Sequence, residues 1–195
     1  MFAAFAGLTA GIFHVLAGPD HLAAVAPLAA GSERAAWRSG LTWGIGHTAG
    51  VITVGVLLLA FRELLPVHAL SAWSERLVGL ALIVVGAWGL WRARQAHEHH
   101  HAAVGASFGM GTLHGLAGSS HLFGVLPTLA FVSRTDAGLY LAGFGVGAIV
   151  AMTGFAAAIG GVAILSGASK GTVRRTLLYT SSAAAMVVGG AWLLS

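Results

Sequence analysis

Apolar positions along this chain do not alternate with polar ones; they run together in stretches at residues 2–30, 40–61, 74–92, 103–132, 138–166 and 173–194. Each stretch is close to the ~20 residues a helix needs to cross the hydrocarbon core of a bilayer. Such runs are too long and too uniformly apolar for barrel strands, and a helix satisfies its backbone polar groups internally. The pattern predicts an all-α, polytopic membrane protein of about six transmembrane helices, forming a single membrane domain over residues 1–195.

The segments repeat. Gly11 to Leu22 aligns with Gly111 to Leu122 at an offset of 100, and Pro27 and Pro127 continue the match. Gly44-Ile45-Gly46 falls on Gly143-Phe144-Gly145 at an offset of 99, which sets His47 opposite Val146. The chain therefore reads as repeat one (1–96), a His-rich linker (97–102) and repeat two (103–195). An odd number of spans per half forces the second half to enter the membrane the other way up, giving two inverted three-helix repeats with a helix break in the first span of each.

Composition agrees with a lipid solvent: 57% of residues are hydrophobic and 8% charged, against roughly half and a quarter in soluble domains. The chain has no cysteine, which excludes disulfides and thiolate metal ligation. Its pI near 10.7 does not indicate nucleic acid, because the basic residues are scattered over the loops without interleaved aromatics. Arg34, Arg38, Arg92, Arg94, Lys170, Arg174 and Arg175 gather on one side, and Arg62, Arg76 and Arg134 on the other. The positive-inside rule then predicts both termini outside and the central loop in the cytoplasm, with a bacterial inner membrane as the expected location. The apolar start at Met1 reads as a retained first span. The six tryptophans lie mostly near predicted span ends and read as interfacial anchors.

Of the six acidic residues, Glu33, Glu63, Glu75, Glu98 and Asp136 fall in loops or at the ends of apolar runs, leaving Asp20 alone within one. An ionisable group there is costly and faces a partner or a cavity. His14 and His21 flank Gly18-Pro19; in an unbroken helix they would stand about 10 Å apart along the axis, but a break at the Gly-Pro pair can fold them together. His47 lies between Gly46 and Gly50, a small-residue face that lets helices approach closely. His114 and His121 repeat the histidines of the first half, while Ser120 replaces the carboxylate. The candidate metal ligands are thus His14, Asp20, His21, His47, His114 and His121, an imidazole and carboxylate set suited to divalent first-row ions rather than copper(I). Three plainer readings stand beside this one. Intramembrane histidines also serve as interhelical hydrogen-bonding groups, His and Asp chains also relay protons, and the tract His97, Glu98, His99, His100, His101 is either a loose metal-binding loop or merely solvated.

With H-V-L-A-G-P-D-H-L-A-A at His14 to Ala24, G-I-G-H-T at Gly44 to Thr48 and H-G-L-A-G-S-S-H at His114 to His121, the chain resembles the nickel/cobalt transporters, and most closely their NicO and UreH-like branch. The likeness covers nearly the whole length. One departure is that five residues, rather than the four of the better-known nickel permeases, separate His14 from Asp20. The resemblance implies a permease for nickel or cobalt ions as substrate, with no permanently bound cofactor. The alternative is a membrane accessory protein that passes nickel to a urease or hydrogenase maturation system through a cytoplasmic metallochaperone. An intramembrane hydrolase is disfavoured for want of an H-E-x-x-H pair or an evident nucleophile, so no enzymatic activity is expected. Expected partners are a divalent ion and the lipid bilayer, and no nucleic acid.

Overall fold

The computed structural model describes residues 1–30, 35–61, 67–94, 104–117, 124–125, 127–128, 130–165 and 170–194. Its elements are all helical: α1 (Phe2–Ala17), α2 (Pro19–Ala30), α3 (Ala36–Phe61), α4 (Val67–Arg94), α5 (Val104–Ala117), α6 (Arg134–Leu165) and α7 (Lys170–Leu194). Three helices are long and apolar enough to cross a membrane: Ala36–Leu57 of α3, α6, and Gly171–Leu194 of α7. A fourth is added if α1 and α2, bent by 74° at their junction, are counted as one broken span. The expected six spans thus become three, or four with the bent pair, among the described residues. The equivalent break in the second half falls at residues 118–123, outside them.

Large apolar side chains point outward around the bundle, among them Phe13, Leu113, Val146 and Val187. Such a surface is suited to a membrane environment rather than to water. Lipid tails give no hydrophobic incentive for helices to associate, so cohesion comes from close packing. Here glycine supplies it. On α1, Gly7 and Gly11 lie against the backbone carbonyls of Tyr140 and Phe144 in α6, while Gly143 and Gly147 of α6 lie against those of Ala4 and Leu8. The same pattern joins α3 to α5, where Gly46 abuts the Phe108 carbonyl, and Gly111 and Gly115 abut those of Trp43 and His47. A side chain at any of these positions would push the helices apart. Residue numbers on the two sides increase in the same sense in both pairs, so α1 runs parallel to α6 and α3 parallel to α5. By contrast α4 and α7 meet antiparallel, with Gly79 against Gly189 and Gly86 against Ser182.

The principal core forms where α1, α2, α3, α4, α6 and α7 converge, around Val15, Leu28, Trp43, Val78, Leu82 and Met152. A smaller one gathers Val51, Val125, Leu141 and Phe144. Arg92, assigned to a loop in the sequence reading, is instead buried at the end of α4, with its guanidinium 4.7 Å from the Trp88 ring centre. Its methylene stem and planar head suit a site where the charge leans on an aromatic face.

Candidate metal centre at the helix break

Gly18 ends α1 and Pro19 begins α2. Proline fits the first position of a helix, where its missing N–H would have no intrahelical acceptor, and its ring forbids a continuous helix through the junction. Gly18 donates its N–H to the His14 carbonyl at 3.1 Å, and its own carbonyl accepts from the N–H of His21 at 3.1 Å. The backbone at Gly18 is extended, with φ −87° and ψ 103°, so glycine is not needed there for its torsions. It is needed for space: a Cβ would stand 2.5 Å from His21 Nδ1 and 2.9 Å from Asp20 Oδ1.

The bend places the last turn of α1 beside the first turn of α2. Ring centres of His14 and His21 stand 4.4 Å apart, less than half their separation in a straight helix. His47, midway along α3, lies 5.8 Å from His14 and 5.0 Å from His21. His114, in the last turn of α5, lies 4.7 Å from His21 and 5.8 Å from His47. The glycine contacts between α3 and α5 explain why those two rings reach the same place. Asp20, His21, His47 and His114 are all buried, and His14 is half-buried.

Asp20 is the hub. Its Oδ1 lies 2.9 Å from His21 Nδ1 and its Oδ2 lies 3.0 Å from His114 Nε2, both hydrogen-bonding distances. An ionised carboxylate only accepts, so each of those ring nitrogens carries its proton and donates. The lone pair of neutral His21 therefore resides on Nε2 and that of neutral His114 on Nδ1. Asp20 also sits in the first turn of α2, where the partial positive charge of the helix end favours an anion.

Two overlapping sets of donors result: His14, His21 and His47, and Asp20, His21 and His114, each with one donor atom per residue and all atoms within 4.8 Å of one another. Nitrogens bound tetrahedrally to a zinc-sized ion about 2.1 Å away stand roughly 3.4 Å apart. Separations bounded by 4.8 Å are of the order a single shared ion requires. Imidazole with one carboxylate, and no sulfur, fits a divalent first-row ion. The first set could take a metal through imidazoles with Asp20 behind His21, as in the carboxylate–histidine–metal arrangement that fixes a ring and raises its basicity.

The structure thus gathers His14, Asp20, His21, His47 and His114 into one place. His121 lies outside the described residues, as do Ser120 and the histidine tract at 97–101. One member was missed by the sequence reading. Trp43 is no interfacial anchor but a buried wall of the cluster, 5.1 Å from His47 and nearly parallel to it. Its position one helical turn before His47 was the available signal.

The chain is 34% identical to the Arabidopsis thaliana chloroplast protein FOR GROWTH AND FERTILITY 1, in an alignment covering 95% of this chain and 57% of that protein. It is equally 34% identical to FOR GROWTH AND FERTILITY 2 of the same plant, over 98% of this chain and 56% of the relative. The chain thus spans a little over half the length of these relatives. No family model matches. No solved structure matches either. These are chloroplast growth and fertility proteins, not nickel/cobalt permeases, and the expected membership of that family is corrected accordingly. The permease function for nickel or cobalt and the nickel-delivery alternative fall with it, because both drew their substrate from the resemblance. A short H-x5-D-H spacing with flanking glycines marks a broken helix bearing polar groups, a feature that different membrane proteins can share.

Proposed function

We propose that this protein is a multi-pass membrane protein that holds one divalent first-row transition-metal ion at the junction of α1 and α2, and that it acts by binding rather than by catalysis. His14, His21 and His47 are the ligands, with Asp20 and His114 completing or backing the set. One observation carries this reading: four helices bring four imidazoles and one buried carboxylate together in two sets of donors that share His21, inside an apolar bundle. Burying so many polar groups in lipid is expensive, and a bound cation is the partner that uses them together. The chloroplast named for both relatives is rich in membranes, which accords with this setting.

The architecture proposed with it is two inverted halves, residues 1–96 and 103–195, joined by the linker at 97–102. The crosswise pairing of α1 with α6 and α3 with α5 supports this, as does the antiparallel contact of α4 with α7, which a two-fold axis in the membrane plane requires. Gly11 meets the Phe144 carbonyl as Gly111 meets that of Trp43, and Gly147 meets Leu8 as Gly46 meets Phe108. Rings follow suit: Phe144 lies 5.2 Å from His14, and Trp43 lies 5.2 Å from His114. These pairs relate the second helices of the halves by an offset of 101, Trp43 to Phe144, rather than the 99 of the sequence alignment. The counterpart of His47 is then Ala148, so the second half contributes less to the centre.

The test is metal analysis of the purified full chain in lipid nanodiscs after loading with zinc and removal of free ion. One zinc per chain is expected, with loss on replacing His47 or His21 by Ala. Protein that retains no zinc refutes the reading. The line His114–Asp20–His21 favours a second reading, a proton relay, which predicts proton movement across metal-free vesicles that Asp20→Asn abolishes.

A further inference from the structure

Trp43 makes ring contacts with three of the four imidazoles. Its indole is nearly parallel to His47, at 14° and 5.1 Å. It stands edge-on to His21 at 69° and 6.0 Å, and is tilted over His114 at 50° and 5.2 Å. The side chain is 1% exposed, and its backbone is held by the contact of its carbonyl with Gly111 of α5. A large ring fixed by the helix crossing therefore limits how the histidines can turn.

Resting on the metal-holding reading above, we infer that Trp43 is a positioning residue that raises the affinity of the centre by stacking on His47. An imidazole that ligates a divalent ion takes on positive character, whereas an empty neutral ring does not. The face of an indole is electron-rich and attracts positive charge within about 6 Å of its centre, most strongly where water is excluded. The parallel stack on His47 is that geometry. It stabilises the loaded ring more than the empty one, and a difference between the two states is what sets affinity. The opposite wall is Phe144, tilted by 44° against His14, with a weaker ring face. The indole side is accordingly the one that favours the ion.

Zinc titration of the full chain in nanodiscs tests this, with Trp43→Phe and Trp43→Ala beside the wild type. Trp43→Phe keeps an aromatic wall of the kind already present at position 144, and lowers the metal-free melting temperature less than Trp43→Ala does because it leaves the smaller cavity. It weakens zinc binding about tenfold, the order of one desolvated cation–π contact, and Trp43→Ala weakens it further. Zinc also alters the tryptophan emission of the wild type, and Trp43→Phe removes that change although the other five tryptophans remain. Wild-type affinity in both variants, or an undiminished emission change in Trp43→Phe, overturns the inference while leaving the metal centre standing. A wild type that takes no zinc overturns the centre itself. If Trp43→Ala does not fold, Trp43→Phe decides alone.

Discussion

Replacing Gly18 by Ala tests the construction of the helix break more sharply than removing a ligand. The backbone at Gly18, φ −87° and ψ 103°, is open to alanine, so torsional strain contributes nothing. All the cost comes from the new methyl group, which would lie 2.5 Å from His21 Nδ1, 2.9 Å from Asp20 Oδ1 and 3.0 Å from the His14 carbonyl oxygen. The carbonyl belongs to the last turn of α1 and cannot retreat freely. The imidazole and carboxylate must therefore part, and their 2.9 Å hydrogen bond is lost or lengthened. Overfilling a packed interior costs about 1–3 kcal/mol, and a hydrogen bond to a charged group contributes about 1.5–3 kcal/mol. If the second amount is felt in the loaded state, zinc affinity falls by roughly ten- to a hundredfold. Thermal unfolding in nanodiscs reads the first effect and zinc competition reads the second. An alanine variant with unchanged melting temperature and unchanged affinity would show that the junction does not crowd these groups.

Other outcomes follow from the same geometry. Asp20→Asn keeps the size of the hub but removes its charge and one acceptor oxygen, so zinc binding weakens about 10–100-fold, measured by competition with a chelating dye; unaltered affinity would remove Asp20 from the centre. Gly11→Ala and Gly154→Ala are the same substitution with opposite results: the first drives a methyl group into the Phe144 carbonyl and lowers the unfolding temperature, whereas the second meets nothing within 4 Å and is neutral or stabilising by about 0.5 kcal/mol. Equal effects from the two would contradict the α1–α6 crossing. Because the chain has no cysteine, Phe2→Cys and Gly105→Cys can each be labelled alone with an impermeant maleimide; inverted halves require labelling from opposite faces of the membrane, and same-side labelling refutes them.

Sequence was enough for the class of fold because lipid imposes a simple condition, that every backbone polar group be satisfied within its own segment, and uniformly apolar runs then read directly as helices. It was enough for the break as well, since Gly18-Pro19 acts through local sterics, and it singled out Asp20, His14, His21, His47 and His114 because ionisable groups in apolar runs are costly. It misled on identity, where a short motif stood in for a family. Span number also came out lower among the described residues than hydropathy implied: a 74° bend divides the first apolar run between two helices, α4 is not among the helices apolar enough to span, and the fourth run is described mainly as the 14-residue α5.

Only the tertiary structure decided which groups meet. The register of α3 on α5 and of α1 on α6 is set by carbonyl oxygens seated against glycines, a long-range fit that no one-dimensional offset contains; it moves the repeat relation of the second helices by two residues and turns Trp43 from a supposed membrane anchor into a wall of the centre. Likewise Asp20 joins His21, its neighbour in the chain, to His114, ninety-four positions away. Local chemistry determines that a polar group must find a partner, but the partner is chosen by which helix surfaces can come close enough to exclude everything else.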